Sequence, residues 1–367
     1  MDIRLENVLK YEQPTKYIVK SENYSDDFAL PVLTAGKSFV LGYTDETEGV
    51  CKASENPVII FDDFTADCKY VDFDFKVKSS AMKILHKANA EDNLKYYFYA
   101  IQAIEYTPFS HKRVWISEYS KFKIENRSAE EQNNIVKDLD TVATAIDNAK
   151  QRLNSLDELI KSRFIEMFVN QEFPVVSLDS IAEVTGGLTK NGKRKDMPMK
   201  YPYLRVANVY YNHLDLSEIL EIGVKDNAEL EKTLLKTDDL LFVEGNGSPE
   251  QIGRVALWNG SIAPCLHQNH LIKARLDFSK VNPRYVLFYF MSEDGREQIA
   301  NRAVSTSGLY TLSVSKVAGL VLPIPPIVLQ NEFAEYVKLT DKSKFIVQKQ
   351  IEDLQELLDS KMDEYFG

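Results

Sequence analysis

Residues 128–168 read SAEEQNNIVKDLDTVATAIDNAKQRLNSLDELIKSRFIEMF. Ser128-Ala129-Glu130-Glu131 is a capping box, in which the serine and the glutamate three residues on satisfy each other's backbone N–H groups. Apolar residues then recur at Ile135, Leu139, Val142, Ile146, Ala149, Leu153, Leu156 and Ile160. The steps alternate four and three, which is the a/d seam of a coiled coil. Phe164, Met167 and Phe168 close the seam, and Pro174 lies beyond it. The pattern predicts one helix of about 40 residues, about 60 Å long at 1.5 Å per residue.

A second helix is predicted over 329–366, after the breaker Pro323-Ile324-Pro325-Pro326. Shifted by 198 positions, it overlays the first. Gln132-Asn133 meets Gln330-Asn331, and Leu156, Leu159 and Phe168 meet Leu354, Leu357 and Phe366. The seam continues through Phe333, Val337, Val347, Ile351, Leu354 and Leu358, with a kink or a polar layer expected at Thr340 and Lys344. The segments before each helix also echo one another. Pro31-Val32-Leu33 resembles Pro202-Tyr203-Leu204, and the strand-like 57–62 corresponds to 239–243. A helix opening at Asn93 matches one at Asn282-Pro283, with Asn as N-cap and Pro at the first helical position. The chain is therefore an α+β repeat: domain 1–125, long helix 126–172, domain 173–327, long helix 328–367. If the helices pack antiparallel as a coiled coil, the object is pseudo-two-fold.

Composition bounds the rest. The 367 residues are 44% hydrophobic and 27% charged, ordinary for a globular chain of two or three domains. No apolar run is long enough for a membrane helix, and Met1-Asp2-Ile3-Arg4-Leu5 lacks a signal-peptide core. Three cysteines make a disulfide framework unexpected and fit a reducing cytoplasm. The net charge of −11 speaks against nucleic acid, but a total does not exclude a local basic face. The acidic excess lies in the first domain and the helices, whereas the second domain is neutral and holds Lys190-Asn191-Gly192-Lys193-Arg194-Lys195.

The order of these elements resembles the specificity subunit of type I restriction–modification systems. Leu204-Arg205-Val206-Ala207-Asn208-Val209, Gly245-Asn246-Gly247-Ser248, Ile252-Gly253-Arg254-Val255-Ala256, His267-Gln268-Asn269-His270, Ser305-Thr306-Ser307-Gly308-Leu309-Tyr310 and the exit 322–326 stand where that family has its motifs. The first domain carries Leu33-Thr34-Ala35-Gly36-Lys37 and the stretches 60–64 and 79–83, but lacks the proline-rich exit. The resemblance implies two target recognition domains and no catalytic activity. Each domain would read one half of a bipartite site in double-stranded DNA. The helices would set the spacer and dock two methyltransferase subunits, with restriction/translocase subunits joining them. S-adenosylmethionine, ATP and Mg²⁺ would sit on those partners, and no cofactor or metal on this chain.

Candidate DNA contacts are nominated by residue chemistry. The cations Lys190, Lys193, Arg194 and Lys195 suit phosphate, with Gly192 letting the backbone approach. Arg reads guanine, and Asn or Gln reads adenine, through bidentate bonds. That chemistry nominates Arg205, Asn208, Gln268 and Asn269, and the motifs add Asn246 and Arg254. Ser305, Thr306 and Tyr310 form a polar loop suited to a groove. First-domain counterparts are Thr34, Lys37, Tyr43, Lys76, Lys78, Lys112 and Arg113. For each, the competing reading is an ordinary surface side chain.

Three enzymatic patterns compete. Asp62, Asp74 and Lys76 resemble the acid, acid-x-Lys set of Mg²⁺-dependent nucleases, although the alternation over 72–78 reads as a half-buried strand. Asn282-Pro283-Arg284-Tyr285 resembles a methyltransferase motif but lacks its second proline and an upstream Gly-rich loop. Cys265, His267 and His270 offer three zinc ligands without a fourth. A coiled-coil adaptor without DNA reading is the main alternative, supported by the acidic total.

Overall fold

The computed structural model describes residues 2–36, 38–109, 112–169, 171–306 and 308–367, and for Thr306 the backbone only. The candidate Lys37 lies outside the described residues, as does Ser307 of the polar loop. Two compact units are present: residues 1–152 with 347–367, and residues 153–346. The grouping differs from the expected linear division. Each long helix contributes one half to each unit, because its seam is covered by the domain it adjoins as well as by the other helix.

The two units share one topology. In the first, strand Val58–Asp62 lies between Met82–Lys87 and Cys68–Val71, and Leu9–Glu12 completes an antiparallel four-stranded sheet. In the second, Leu240–Val243 lies between Leu271–Leu276 and Val255–Leu257, with Ala182–Gly186 outermost. Both central strands are buried at every residue, as continuous apolar runs require. A three-stranded sheet accompanies each. Leu30–Leu33 pairs antiparallel with Val40–Thr44 and parallel with Lys76–Val77. Met199–Leu204 pairs antiparallel with Leu220–Val224 and parallel with Leu266–His267. A two-stranded ribbon closes each domain, Asp2–Arg4 with Lys123–Glu125 and Val175–Ser177 with Val321–Pro323.

The long helices run Ala129–Phe168 and Ile327–Phe366. The capping box forms: Ser128 N–H donates to Glu131 Oε2 at 2.8 Å, and Glu131 N–H to Ser128 Oγ at 3.3 Å. Ile135, Leu139, Val142, Ile146, Ala149 and Ile160 are buried, as are Phe333, Val337 and Val347. Of the two alternatives at Thr340 and Lys344, polar contacts are present within one continuous helix. Thr340 donates to the Tyr336 carbonyl at 3.0 Å, and Lys344 bonds Asp157 at 2.5 Å. Within each unit the helices are antiparallel. In the first, Asp138 accepts from Tyr365 (2.8 Å) and Lys361 (3.3 Å). In the second, Asp157 meets Lys344 and Arg163 meets Glu332 at 2.9 Å.

The matching dipeptides on the helices have a physical cause. Asn93 caps the helix Leu94–Gln102; its N–H donates to Gln132 Oε1 and its amide to Asn133 Oδ1, both at 2.8 Å. Asn282 caps Pro283–Met291 and makes the same two bonds to Gln330 and Asn331, both at 2.9 Å. The far side of each glutamine amide donates to the chain entering the long helix, Gln132 to the Arg127 carbonyl and Gln330 to the Pro325 carbonyl. Both glutamines are buried. Each clasp thus ties domain to helix, with both ends of the buried glutamine amide bonded. Replacing Gln330 by leucine strands a buried N–H and a buried carbonyl. We expect denaturant unfolding to register a loss of roughly 2–6 kcal/mol, at about 1–3 per stranded group.

Candidate nucleic-acid interface

Several loops of the second unit meet along one edge of its sheets. The turn after Leu266–His267 is the hub. Gln268 N–H donates to the Leu204 carbonyl at 2.9 Å, Asn269 N–H to Leu188 at 3.0 Å, and Leu188 N–H to His267 at 2.9 Å. A Cβ on Gly187 would stand 2.1 Å from the His267 carbonyl oxygen, so only glycine allows this approach. Glu244 N–H donates to the His270 carbonyl at 2.9 Å, and Leu312 N–H to Glu244 at 2.7 Å. Beyond Glu244, Gly245–Asn246 pairs with Leu309–Thr311, Asn246 opposite Tyr310. Leu309–Thr311 pairs in turn with Val304–Thr306. The basic loop, the end of Met199–Leu204, the turn 267–270, Asn246 and this strand pair are therefore joined by backbone bonds.

At this edge the candidates divide. Lys190, Lys193 and Lys195 are exposed and make no side-chain bond among the described residues. Gln268 and Asn269 are half-buried with their side-chain amides likewise free of protein partners. Asn246 uses its Oδ1 on Ser248 N–H at 2.9 Å, leaving its NH₂. Ser305 is exposed, Tyr310 packs partly against the core, and the Thr306 side chain lies outside the described residues.

Four candidates bond within the chain instead. Arg194 makes a fork to Glu229 at 2.8 and 3.0 Å and also bonds the Thr189 and Gly223 carbonyls. The fork is the main cause holding the Glu229 carboxyl below its usual range. Arg205 is paired with Glu218 at 2.9 Å. Asn208, buried, accepts from Arg205 N–H and donates to the Asp215 and Glu218 carbonyls. Arg254 is buried, stacks over Tyr210 at 4.8 Å and donates to the Val206 carbonyl at 3.3 Å. These side chains hold loops in place instead of presenting donors outward.

Beneath the edge lies a buried polar layer, of which the sequence reading had singled out His267 alone and as a possible zinc ligand. Arg275 forks onto Asp239 at 2.7 and 2.9 Å. Lys273 donates to the Lys232 carbonyl at 3.0 Å, and burial pulls its pKa down to about 8. His267 is buried with Nδ1 on the Thr233 carbonyl at 3.0 Å, and burial pushes its pKa down to about 4. Charged residues alternating along Leu271–Leu276 were the available signal.

The zinc and nuclease patterns do not assemble. Cys265 is buried, His267 faces Thr233, and His270 faces Glu244. Asp62 accepts from the Phe64 and Thr65 N–H groups of its own turn. Asp74 holds Lys52 and Ser54, and Lys76 is buried against Glu46 and the Glu48 carbonyl. Among the described residues no group of three His, Cys, Asp or Glu is placed to hold a metal.

The family model for the type I restriction modification DNA specificity domain matches residues 170–356. The EcoR124I/EcoR124II specificity subunit of Escherichia coli is 32% identical over 98% of this chain and 91% of its own length. The chain belongs to the type I restriction–modification specificity subunits. The EcoKI specificity subunit of E. coli K12 is 27% identical over 60% of this chain and 51% of its own. Among solved structures, the type I S subunit from M. genitalium shares the fold at 13% identity, with a TM-score of 0.56, over 100% of this chain and 96% of that one. Membership makes the chain a specificity component and not an enzyme. No described helix is long and apolar enough to cross a membrane.

In the first unit of this specificity subunit, the register places Lys78 where the second has Gln268: Lys78 N–H donates to Leu33 as Gln268 does to Leu204. Lys78 is paired with Glu22. The counterpart of Leu188 is Val19, whose N–H donates to Val77. The chain then runs through 20–27, which carries Glu22, Asp26 and Asp27 against the single cation Lys20, whereas 189–196 of the second unit carries four cations and one acid. Lys76 is buried against Glu46 and not presented outward. Thr34 bonds the Ser38 carbonyl at 2.8 Å and lines a cavity of about 200 Å³ with Asp62, Asp67 and Lys69. Arg113 bonds the Ser80 carbonyl, whereas Tyr43 and Lys112 are exposed.

The split between paired and free cations has a measurable consequence. Changing Lys190, Lys193 and Lys195 to glutamine should flatten the log–log dependence of DNA affinity on salt by up to about 0.9 for each phosphate no longer neutralised. Arg194→Gln should instead lower stability and leave that slope nearly unchanged. Equal slopes for the lysine variant and the wild type would remove this loop from the phosphate-binding surface.

Proposed function

We propose that this chain is the DNA-reading subunit of a type I restriction–modification complex, each recognition domain reading one half of a bipartite site in double-stranded DNA. The observation that carries the reading is the duplication of sheet order, parallel strand pair and Asn–Gln–Asn clasp in the two units. A duplicated reader suits a site of two halves. The long helices set the spacing and dock two methyltransferase subunits, with which restriction/translocase subunits assemble. Exposed apolar side chains on the helices support a protein partner: Phe345 is 72% and Ile346 66% exposed. S-adenosylmethionine, ATP and Mg²⁺ reside on those partners, in the cytoplasm.

The test is a domain exchange. Replacing 175–323, from the start of one ribbon strand to the end of the other, with the corresponding segment of another specificity subunit should change one half of the methylated site. Methylome sequencing of cells carrying the hybrid with its partner subunits reads both halves. A change in both halves, or in neither, would overturn the two-reader reading.

A further inference from the structure

Glu244 and His270 sit at the centre of the loop edge of the second unit, and neither was nominated by the sequence as a DNA contact. Their backbones are already bonded to each other, and Glu244 also receives Leu312 N–H. Their side chains add a second link, His270 Nδ1 to Glu244 Oε2 at 2.8 Å, with the histidine side chain 54% and the glutamate 27% exposed. A pair so exposed contributes little to stability, and the loops it joins are held by main-chain bonds. What the link does determine is the imidazole. A carboxylate only accepts hydrogen bonds, so in neutral His270 the proton sits on Nδ1 and Nε2 keeps its lone pair. The groups beside it on this edge, the amides of Gln268 and Asn269 and the NH₂ of Asn246, are of the kind that read base edges.

We propose that Glu244 and His270 form a base-reading pair of the second recognition domain, in which Glu244 orients the ring and His270 Nε2 accepts from an exocyclic amino group in the major groove. The proposal rests on the DNA-reading function and deepens it. The amino groups available there are N6 of adenine and N4 of cytosine. Guanine and thymine present O6 and O4, acceptors that would meet a lone pair. One position of this half-site is thus selected for an amino-bearing base.

The experiment uses the full chain with its methyltransferase subunits and a DNA library randomised over both half-sites. It is run at pH 8. His270→Ala should relax one position of the second domain's half-site by roughly tenfold, the scale of one hydrogen bond. His270→Lys, a donor only, should move that position towards guanine. Glu244→Gln, whose amide both donates and accepts, permits either ring tautomer and should relax the same position while leaving the rest of the half-site intact. The half read by the first domain should be unchanged in every variant. Unaltered preference at every position, or an even loss across all sequences, would overturn the proposal and leave the specificity subunit as the reader. A wild-type complex that selects no sequence would instead remove the DNA-reading function, and this pair with it.

Discussion

Removing one matched heptad from each long helix should shorten the preferred gap between half-sites by about three base pairs while leaving the half-site sequences alone. Seven residues of helix span about 10 Å at 1.5 Å each, and three base pairs of DNA rise a similar distance at about 3.4 Å each. The match must be chosen from the antiparallel register. Asp138 meets Lys361 and Tyr365 in the first unit, so residues 143–149 face about 351–357 across the seam. Deleting 143–149 alone would leave the second helix seven residues too long and would break the contacts of Asp138 or of Arg163. Single deletion should therefore abolish activity, and the paired deletion should restore it with a changed gap. A three-residue deletion would rotate the seam out of register. Methylome sequencing reads the gap directly. An active paired deletion with the original gap would show that the helices do not set the spacing.

The second unit should lose stability as pH falls from about 6.5 to about 4. Burial holds His267 neutral in the folded chain, its pKa pushed from 6.5 down to about 4. In the unfolded chain the imidazole takes up a proton through its ordinary range. Between these values the unfolded state binds more protons, so protonation favours unfolding, and the stability present above pH 6.5 is lost progressively on acidification. At about 1.4 kcal/mol per pKa unit, the full effect is on the order of 3 kcal/mol. His267→Gln can still donate to the Thr233 carbonyl but has no such titration. Thermal unfolding of wild type and variant at pH 7.5, 6 and 5 should therefore converge at the acid end. Parallel losses in both proteins would mean that the carboxylates, and not His267, carry the acid sensitivity.

Much of the architecture is legible in the order of the residues. Heptad spacing and the capping box predict the first long helix, which begins one residue after the predicted cap, and the second begins two residues earlier than its pattern indicated. The aligned dipeptides Gln132-Asn133 and Gln330-Asn331 turn out to be one repeated clasp. These features are legible because they are local: a period of 3.5 residues, a cap three residues from its partner, a motif repeated in order. The interface was less legible. Among the described residues Lys190, Lys193 and Lys195 are free cations, but Arg194, Arg205, Asn208, Arg254 and Lys76, of equally suitable chemistry, are tied to carboxylates and carbonyls of their own chain. The planar fork of arginine and the two-sided amide of asparagine read a base edge by the same hydrogen bonds that satisfy a buried carbonyl. Residue type cannot distinguish the two uses. Only the tertiary structure decides, because burial places Glu229 under Arg194 and the Asp215 and Glu218 carbonyls around Asn208, and leaves His270 at the surface with its proton directed to Glu244.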